Sequence, residues 1–400
     1  MFRASQFIDE IFEPGPVDPR RDLPGPVVIW NLIRRCNLLC KHCYTISADK
    51  VFKGELSTGE VMAVMADLKD AHVPALILSG GEPLLRPDIF EISKHAVDLG
   101  FHTALSSNGT LMDEETADKI ADVGYGYVGV SVDGIGETHN KFRRKENCFE
   151  EAMHGLRLCR DRNQKIGLRF TMTEDNAHEL PDMLQLIEDE GIDRFYFSHL
   201  NYAGRGNHNR KDDAMFRTTR DAMEILLNKT LDWKKRGLRK EVVTGNNDAD
   251  GIFMLMWVER NFPEAADHIA AKLKQWGGNA SGVNVANIDN LGIVHPDTMW
   301  WHHNLGNVKE RKFADIWSDT SDPLMAGLKQ RPRTIGGRCG ECKFFDICGG
   351  NTRVRAHRMS DDFWAEDPGC YLNDDEIGAS GAQRLELKPF SAGRTVKAEA

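Results

Sequence analysis

The stretch Cys36-Asn37-Leu38-Leu39-Cys40-Lys41-His42-Cys43 sets three thiols at C-x3-C-x2-C spacing, directly after the apolar run Val27-Val28-Ile29-Trp30-Asn31-Leu32. A run of that composition reads as a buried strand, so the cysteines occupy the loop at its C-terminal end. Three thiolates can hold three corners of a [4Fe–4S] cube and leave the fourth iron free for an outside ligand. A structural zinc site closes its tetrahedron with four protein ligands instead. Three cysteines this close also suit a plain metal staple, and spacing by itself leaves both readings open.

A second motif follows the next apolar stretch, Ala75 to Leu78, as Ser79-Gly80-Gly81-Glu82-Pro83. Glycines let backbone approach a ligand closely, and a carboxylate suits an ammonium partner. Together, at this separation, the two motifs resemble those of the radical S-adenosylmethionine (radical SAM) superfamily. The resemblance implies a SAM-binding [4Fe–4S] cluster held by Cys36, Cys40 and Cys43. The free iron is chelated by the amino and carboxylate groups of SAM, and an electron from the cluster cleaves SAM to a 5′-deoxyadenosyl radical. Gly80, Gly81 and Glu82 then receive the methionine amino group, and His42 packs on the adenine. Ser106 with Asn108, and Ser131 with Asp133, resemble positions that reach ribose hydroxyls or the methionyl group, although each also suits a loop cap or Asx turn. Arg143, Arg144 and Arg169 are candidates for the SAM carboxylate, because a guanidinium matches a carboxylate bidentately. Arg169 comes first, since an unpaired charge inside a strand is costly. Tyr44 reads as a shield for the cluster.

The chain of 400 residues carries a net charge of −10 and a pI near 5.8. This argues against a nucleic-acid binder while allowing local basic clusters to bind a small anion. No apolar run approaches a membrane span, and the opening Met1-Phe2-Arg3-Ala4-Ser5-Gln6 lacks the apolar core of a secretory signal, so a cytoplasmic protein with no membrane partner is expected. Nine cysteines in such a compartment fit metal ligation better than disulfides, seven of them falling into two groups. Cys148 and Cys159 stand outside both and read as packing residues.

Prolines at 14, 16, 19, 24 and 26 make residues 1–25 an extended N-terminal arm. Six strands are expected at Val27–Leu32, Ala75–Leu78, His102–Ser107, Tyr127–Val132, Ile166–Thr171 and Phe195–Leu200, alternating with amphipathic helical intervals. Ser57 and Glu60 form a possible capping box, and Gly100, Gly124 and Gly191 sit where helices would stop. Alternating strands and helices imply a parallel α/β sheet. Ligand motifs at strand C-terminal ends match the partial (β/α)6 TIM-like barrel that the resemblance implies. The expected modules are a radical SAM barrel over 26–215, a helical linker region over 216–290, a smaller module over 291–375 and a flexible tail over 376–400.

Cys339, Cys342, Cys348 and Cys370 give C-x2-C-x5-C-x21-C, a four-thiolate set that suits a closed [4Fe–4S] cluster or a structural zinc equally. The stretch Leu291 to Asp297, with Leu305-Gly306-Asn307 and Ile316-Trp317, resembles the entry to SPASM/Twitch modules, which implies a second, auxiliary [4Fe–4S] cluster. Asp297 stands where two-cluster members place a cysteine, so one auxiliary cluster is expected rather than two. Basic residues flank this set, from Lys329, Arg331, Arg333 and Arg338 to Arg353, Arg355 and Arg358, and read as a solvated face or as the lining for a polyanion.

A closer resemblance rests on the stretches Val27 to Cys36, His199 to Gly206, Val243 to Gly251, Gly277 to Gly282 and His295-Pro296-Asp297. They resemble the NirJ family, the radical SAM proteins of haem d1 biosynthesis. That implies a tetrapyrrole substrate, 12,18-didecarboxysirohaem, loss of propionate side chains from two pyrrole rings, and an electron donor such as flavodoxin or ferredoxin. Arg205, Arg210 and Lys211, after the sixth strand, are the expected partners of substrate carboxylates. Trp300, Trp301, His302 and His303 offer flat contacts or an axial ligand, or simply a core strand edge. No residue is assigned a catalytic role. The alternatives are a SPASM-type peptide maturase, an iron-coproporphyrin oxidative decarboxylase and, from another class, a non-catalytic iron–sulfur carrier.

Overall fold

In the computed structural model, residues 1–18 and 24–381 are described. The six expected strands form at Val27–Asn31 (β1), Ala75–Ser79 (β2), His102–Ser107 (β3), Tyr127–Ser131 (β4), Ile166–Met172 (β5) and Arg194–His199 (β6). Four more follow at Glu241–Gly245 (β7), Val285–Ile288 (β8), Ile293–His295 (β9) and Gly306–Asn307 (β10). All belong to one sheet in the order β10-β9-β8-β1-β2-β3-β4-β5-β6-β7. From β8 through β7 every neighbouring pair is parallel, while β9 and β10 turn back antiparallel at one edge. The order does not close on itself, so the barrel is partial.

Period-two alternation decides what each strand offers to each side. Val28 and Trp30 of β1 and Leu76 and Leu78 of β2 are fully buried in the main hydrophobic core, as are Phe195 and Phe197 of β6. Their alternates face the lumen. The interval helices form where their signals stand. Ser57 and Glu60 make a complete capping box for Thr58–Asp70, and Gly124, at φ +76°, closes Glu114–Val123 in the left-handed region.

Two expectations need correction. The N-terminal arm is helical over Ala4–Phe12 rather than extended throughout. The prolines begin at position 14, after the helix, and Phe7 and Ile8 form an apolar stripe that buries against the barrel. Phe2 also exchanges backbone hydrogen bonds of 2.9 and 2.7 Å with Thr244, covering the edge of β7. The stretch 216–290 is more than a helical linker. It supplies β7 and β8, which extend the sheet from β6 and from β1 respectively. Apolar runs of four or five residues carry too little periodicity to separate strand from helix, and the pairing partner of β8 lies far away in sequence.

Of the expected tail, Glu376 and Ile377 belong to a short helix, Asp374–Ile377, and Arg220 grips Glu376 at 2.9 and 2.7 Å. Residues 382–400 lie outside the described residues. No helix among the described residues is long and apolar enough to cross a membrane.

Candidate active site

The lumen of the partial barrel is a cavity of about 370 Å³. Alternation sends Ile29, Ile77, Ala104, Arg169 and Tyr196 to its middle, and Ser79, Ser106, Ser131, Thr171 and Ser198 to its carboxyl end. A parallel sheet binds ligands at that end because the strands' loops converge there. The loop after β1 brings Cys36, Cys40 and Cys43 into the same wall.

The cysteine loop is fixed from several sides. Cys36 Sγ accepts from the Leu38 amide at 3.4 Å, and Arg143 donates to Cys40 Sγ at 3.5 Å. Burial pushes the Cys36 and Cys40 thiols up. Burial acts the same way on Cys43, but the Arg205 guanidinium and hydrogen bonds from Thr45 and Ser47 outweigh it and leave that thiol below its ordinary value. The Gly80-Gly81 turn lies flat on the backbone leading into Cys36. A Cβ on Gly80 would come within 2.4 Å of the Ile33 carbonyl oxygen, and one on Gly81 within 2.3 Å of that of Arg35. These glycines therefore seat the cysteine loop.

Glu82 sits behind the wall. It is fully buried and accepts from the Asn108 amide and the Ser107 hydroxyl, both at 2.8 Å, and from the Leu84 amide at 3.1 Å. Burial nevertheless pushes its carboxyl up to about 7. Asn108 and Ser107, rather than Glu82, form the cavity surface there.

The other expected SAM contacts divide. His42 lines the cavity, tilted on Phe142 at 4.8 Å. Burial pushes its imidazole down to about 4, with Arg143 and Arg205 adding to the effect, so it is neutral at pH 7. Asp133 is fully buried and committed elsewhere: it accepts from the Thr171 amide at 2.7 Å and forms an ion pair with Arg143. Arg143 lines the cavity with its charge already compensated, and Arg144 faces solvent. Arg169 donates to Ser106 at 2.9 Å and lies 4.9 Å over the Tyr196 ring, with no carboxylate partner among the described residues. Its guanidinium is left available for an anion.

The expected substrate contacts fare differently. Arg205 lines the cavity but donates to the backbone carbonyls of Cys40 and Ser47, both at 2.8 Å. Arg210 donates to Asn207 at 3.0 Å, Lys211 is exposed, and neither borders the cavity. Trp300 is buried against Leu324, Leu328 and Val354, and His303 pairs with Asp322 at 2.9 Å. No member of that aromatic group lines the cavity. The sequence reading missed Asn246, Asp248 and His199 in the wall. His199 ends β6, and Asp250 binds its Nε2 with both oxygens at 3.0 Å. Alternation along β6 would have flagged Tyr196, whereas Asn246 and Asp248 follow the unrecognised β7.

The sequence profile described as Radical SAM superfamily matches residues 30–187. The chain is 50% identical over 397 residues to pre-heme d1 synthase of Dinoroseobacter shibae, covering 98% of both proteins. The chain belongs to the radical SAM superfamily. It is also 43% identical over 356 residues to Fe-coproporphyrin III synthase of Methanosarcina barkeri, covering 88% of this chain and 89% of that protein. Streptococcus suis SuiB bound to its precursor peptide SuiA shares the fold, with a TM-score of 0.70 at 17% identity over 88% of this chain and 77% of that one.

A radical SAM enzyme carries a [4Fe–4S] cluster and SAM, and the loop suits them. Around it His42 Nδ1, Arg143 Nε and Arg205 Nη2 are buried polar atoms without a hydrogen-bond partner. Among the described residues no three His, Cys, Asp or Glu side chains converge as they would around one metal ion. A cube asks for something else, since it spreads its ligands over separate irons.

The second cysteine set surrounds its own small void of about 20 Å³, lined by Cys339, Cys342, Cys348 and Cys370 with apolar Ile252, Phe345 and Leu372 among its other neighbours. Burial pushes the Cys370 thiol up to about 12 and raises the other three. Four thiols on one apolar void, those of Cys339 and Cys348 buried and those of Cys342 and Cys370 half-buried, are a donor set that suits a thiophilic metal group. Of the flanking arginines Arg331 is exposed, Arg333, Arg338, Arg353 and Arg355 are buried, and none lines the large cavity. Arg338 donates to the Leu372 carbonyl, Arg353 to the Ala365 carbonyl, and Arg355 clasps Asp367 at 2.8 and 2.9 Å. They staple the loops that carry the cysteines. Cys148 is buried beside Cys36 and Cys40, and Cys159 lies in the main core.

Proposed function

We propose that this radical SAM enzyme acts on a tetrapyrrole in haem d1 biosynthesis, removing propionate side chains from two pyrrole rings of didecarboxysirohaem. The observation that carries this reading is the half-identity to a pre-heme d1 synthase along nearly the whole of both chains. Cys36, Cys40 and Cys43 would hold the SAM-binding cluster, with SAM against Gly80, Gly81, Ser106, Asn108 and Ser131. When bound, cluster and SAM supply a 5′-deoxyadenosyl radical able to take hydrogen from an unactivated carbon.

The chain's own residues contribute binding and orientation. Arg169, held by Ser106 and Tyr196, offers a preset guanidinium to a carboxylate of SAM or substrate. The serine and threonine rim presents hydroxyls to polar groups at the strand ends, and Ile29, Ile77 and Ala104 give the middle of the lumen an apolar flank beside Arg169 and Tyr196. Cys339, Cys342, Cys348 and Cys370 would hold an auxiliary [4Fe–4S] cluster, and a small acidic redox protein of the flavodoxin or ferredoxin type would supply electrons. The nine free cysteines suit a reducing cytoplasm.

Anaerobic turnover with didecarboxysirohaem, followed by mass analysis, tests the reading: loss of propionate mass alongside 5′-deoxyadenosine is the expected result. A second reading is favoured by the Fe-coproporphyrin III synthase relative. Formation of Fe-coproporphyrin III in that turnover, in place of a product that has lost propionates, would replace the first reading with that one. Anaerobically reconstituted protein should hold about eight irons, two cubes' worth. Stoichiometric zinc in place of the second four would overturn the auxiliary cluster.

A further inference from the structure

The turn after β6 is shaped against the cysteine loop. Gly204, at φ +52°, would place a Cβ within 2.5 Å of the Cys43 and Tyr44 carbonyl oxygens, and Gly206 would bring one within 3.3 Å of that of His42. Between them the Arg205 amide donates to the Cys43 carbonyl at 2.8 Å, its Nε to Cys40 and its Nη1 to Ser47, also at 2.8 Å. Asn209 adds a bond of 2.7 Å to the Lys41 carbonyl. Residues 204–209 thus satisfy the backbone acceptors of Cys40, Lys41, Cys43 and Ser47. A loop of this kind otherwise loses those acceptors to water and with them its fixed shape. The remaining Arg205 nitrogen, Nη2, is buried without a hydrogen-bond partner, and no carboxylate among the described residues pairs with this guanidinium. The side chain borders the same cavity as the three thiols.

We propose that Arg205 is the positioning residue of the cysteine loop: its fork ties the Cys40 and Ser47 carbonyls to the end of β6, and its uncompensated charge favours the reduced, more negative state of the cluster held there. This rests on reading Cys36, Cys40 and Cys43 as cluster ligands. It is independent of the tetrapyrrole assignment. Reduction potentials of such clusters rise when positive charge and hydrogen bonds are placed nearby. A lysine preserves the charge but, as a point donor, cannot fork to both carbonyls.

The test uses reconstituted full-length protein. Arg205→Gln should keep the auxiliary cluster's spectrum, lose iron from the SAM-sensitive cluster to a chelator several-fold faster than wild type, and shift that cluster's midpoint potential to more negative values. Arg205→Lys should restore the potential but not the chelator resistance. Lys211→Gln, exposed and away from the loop, should match wild type in both. Wild-type chelation and potential in Arg205→Gln would overturn the proposal, and equal potentials in the Lys and Gln variants would overturn its charge component. If Arg205→Gln does not fold, Asn209→Ala removes the loop bond to the Lys41 carbonyl together with its own bond to the Arg205 carbonyl, leaves the Arg205 fork in place and should still quicken iron loss; an unchanged rate there counts against the clamp. A wild type with no SAM-sensitive cluster would instead defeat the cluster reading beneath it.

Discussion

Glu82 has three hydrogen-bond donors and no ion-pair partner among the described residues, yet burial lifts its carboxyl from 4.5 to about 7. Between those values the folded state binds more protons than the unfolded one, so stability falls as pH rises through that window and levels above it. Measured against Glu82→Gln by denaturation of the ligand-free protein, wild type should lose up to about 1.4 kcal/mol per pH unit there. A difference that stays flat from pH 5 to 8 would count against a raised carboxyl. The neighbouring glycine makes a second prediction. Gly81→Ala must push the Arg35 carbonyl and so displace Cys36, and iron analysis should show the first cluster depleted with the second retained. Gly59→Ala, with nothing near its added Cβ, should be neutral or stabilising by up to about 1 kcal/mol. From sequence the glycines pointed to ligand approach, and the structure adds the backbone they rest on. His42 lines the cavity wall, while Asp133 is occupied by Arg143 and a strand amide. A spacing reports that a carboxylate is near a site but not which of its neighbours already satisfies it.

Among the elements, the N-terminal helix Ala4–Phe12 is tied down through Glu10. Its carboxylate accepts from the Gly15 amide and His268, both at 2.8 Å, and meets Lys272 at 2.9 Å. Burial opposes ionisation, but those partners prevail and hold the carboxyl at about 2. A depressed carboxyl stabilises the fold above its ordinary value of 4.5 and loses that contribution as pH falls toward 2. Glu10→Gln should cost roughly 1–3 kcal/mol at pH 7 in a denaturant titration, with a smaller cost near pH 3. An equal cost at both would assign the effect to packing. The six strands from β1 to β6 were readable because each is a strong apolar run between helix stops. β7 and β8 were not, because a four- or five-residue strand gets its identity from the strand beside it, and those partners, β6 and β1, are set by the closing curvature of the sheet.

At the scale of the molecule, the segment that carries the second cysteine set is held against the loops after β6 and β7 by buried polar groups. Arg355 and Asp367 are almost wholly buried, clasp each other at 2.8 and 2.9 Å, and reach the Leu200 carbonyl beyond β6 at 3.3 Å; Asn247 donates to the Gly369 carbonyl at 2.8 Å. Removing one partner strands the other's charge, so Asp367→Asn should destabilise the protein by about 3–5 kcal/mol, read by equilibrium unfolding. A loss below 1 kcal/mol would mean that water reaches the pair. The sequence by itself determined the chemistry at this level: two cysteine sets, the glycine turn between strand and acid, and the alternation that fixes a parallel barrel. Each is a local pattern whose spacing restricts what its residues can do. Only the tertiary structure decided which charges remained for a ligand. Arg205 and Arg355 read as a substrate clamp and a basic face, yet one is committed to loop carbonyls and the other to Asp367, while Arg169 keeps an open guanidinium. Burial makes every polar group seek its nearest partner, and that partner is brought from a distant part of the chain by folding.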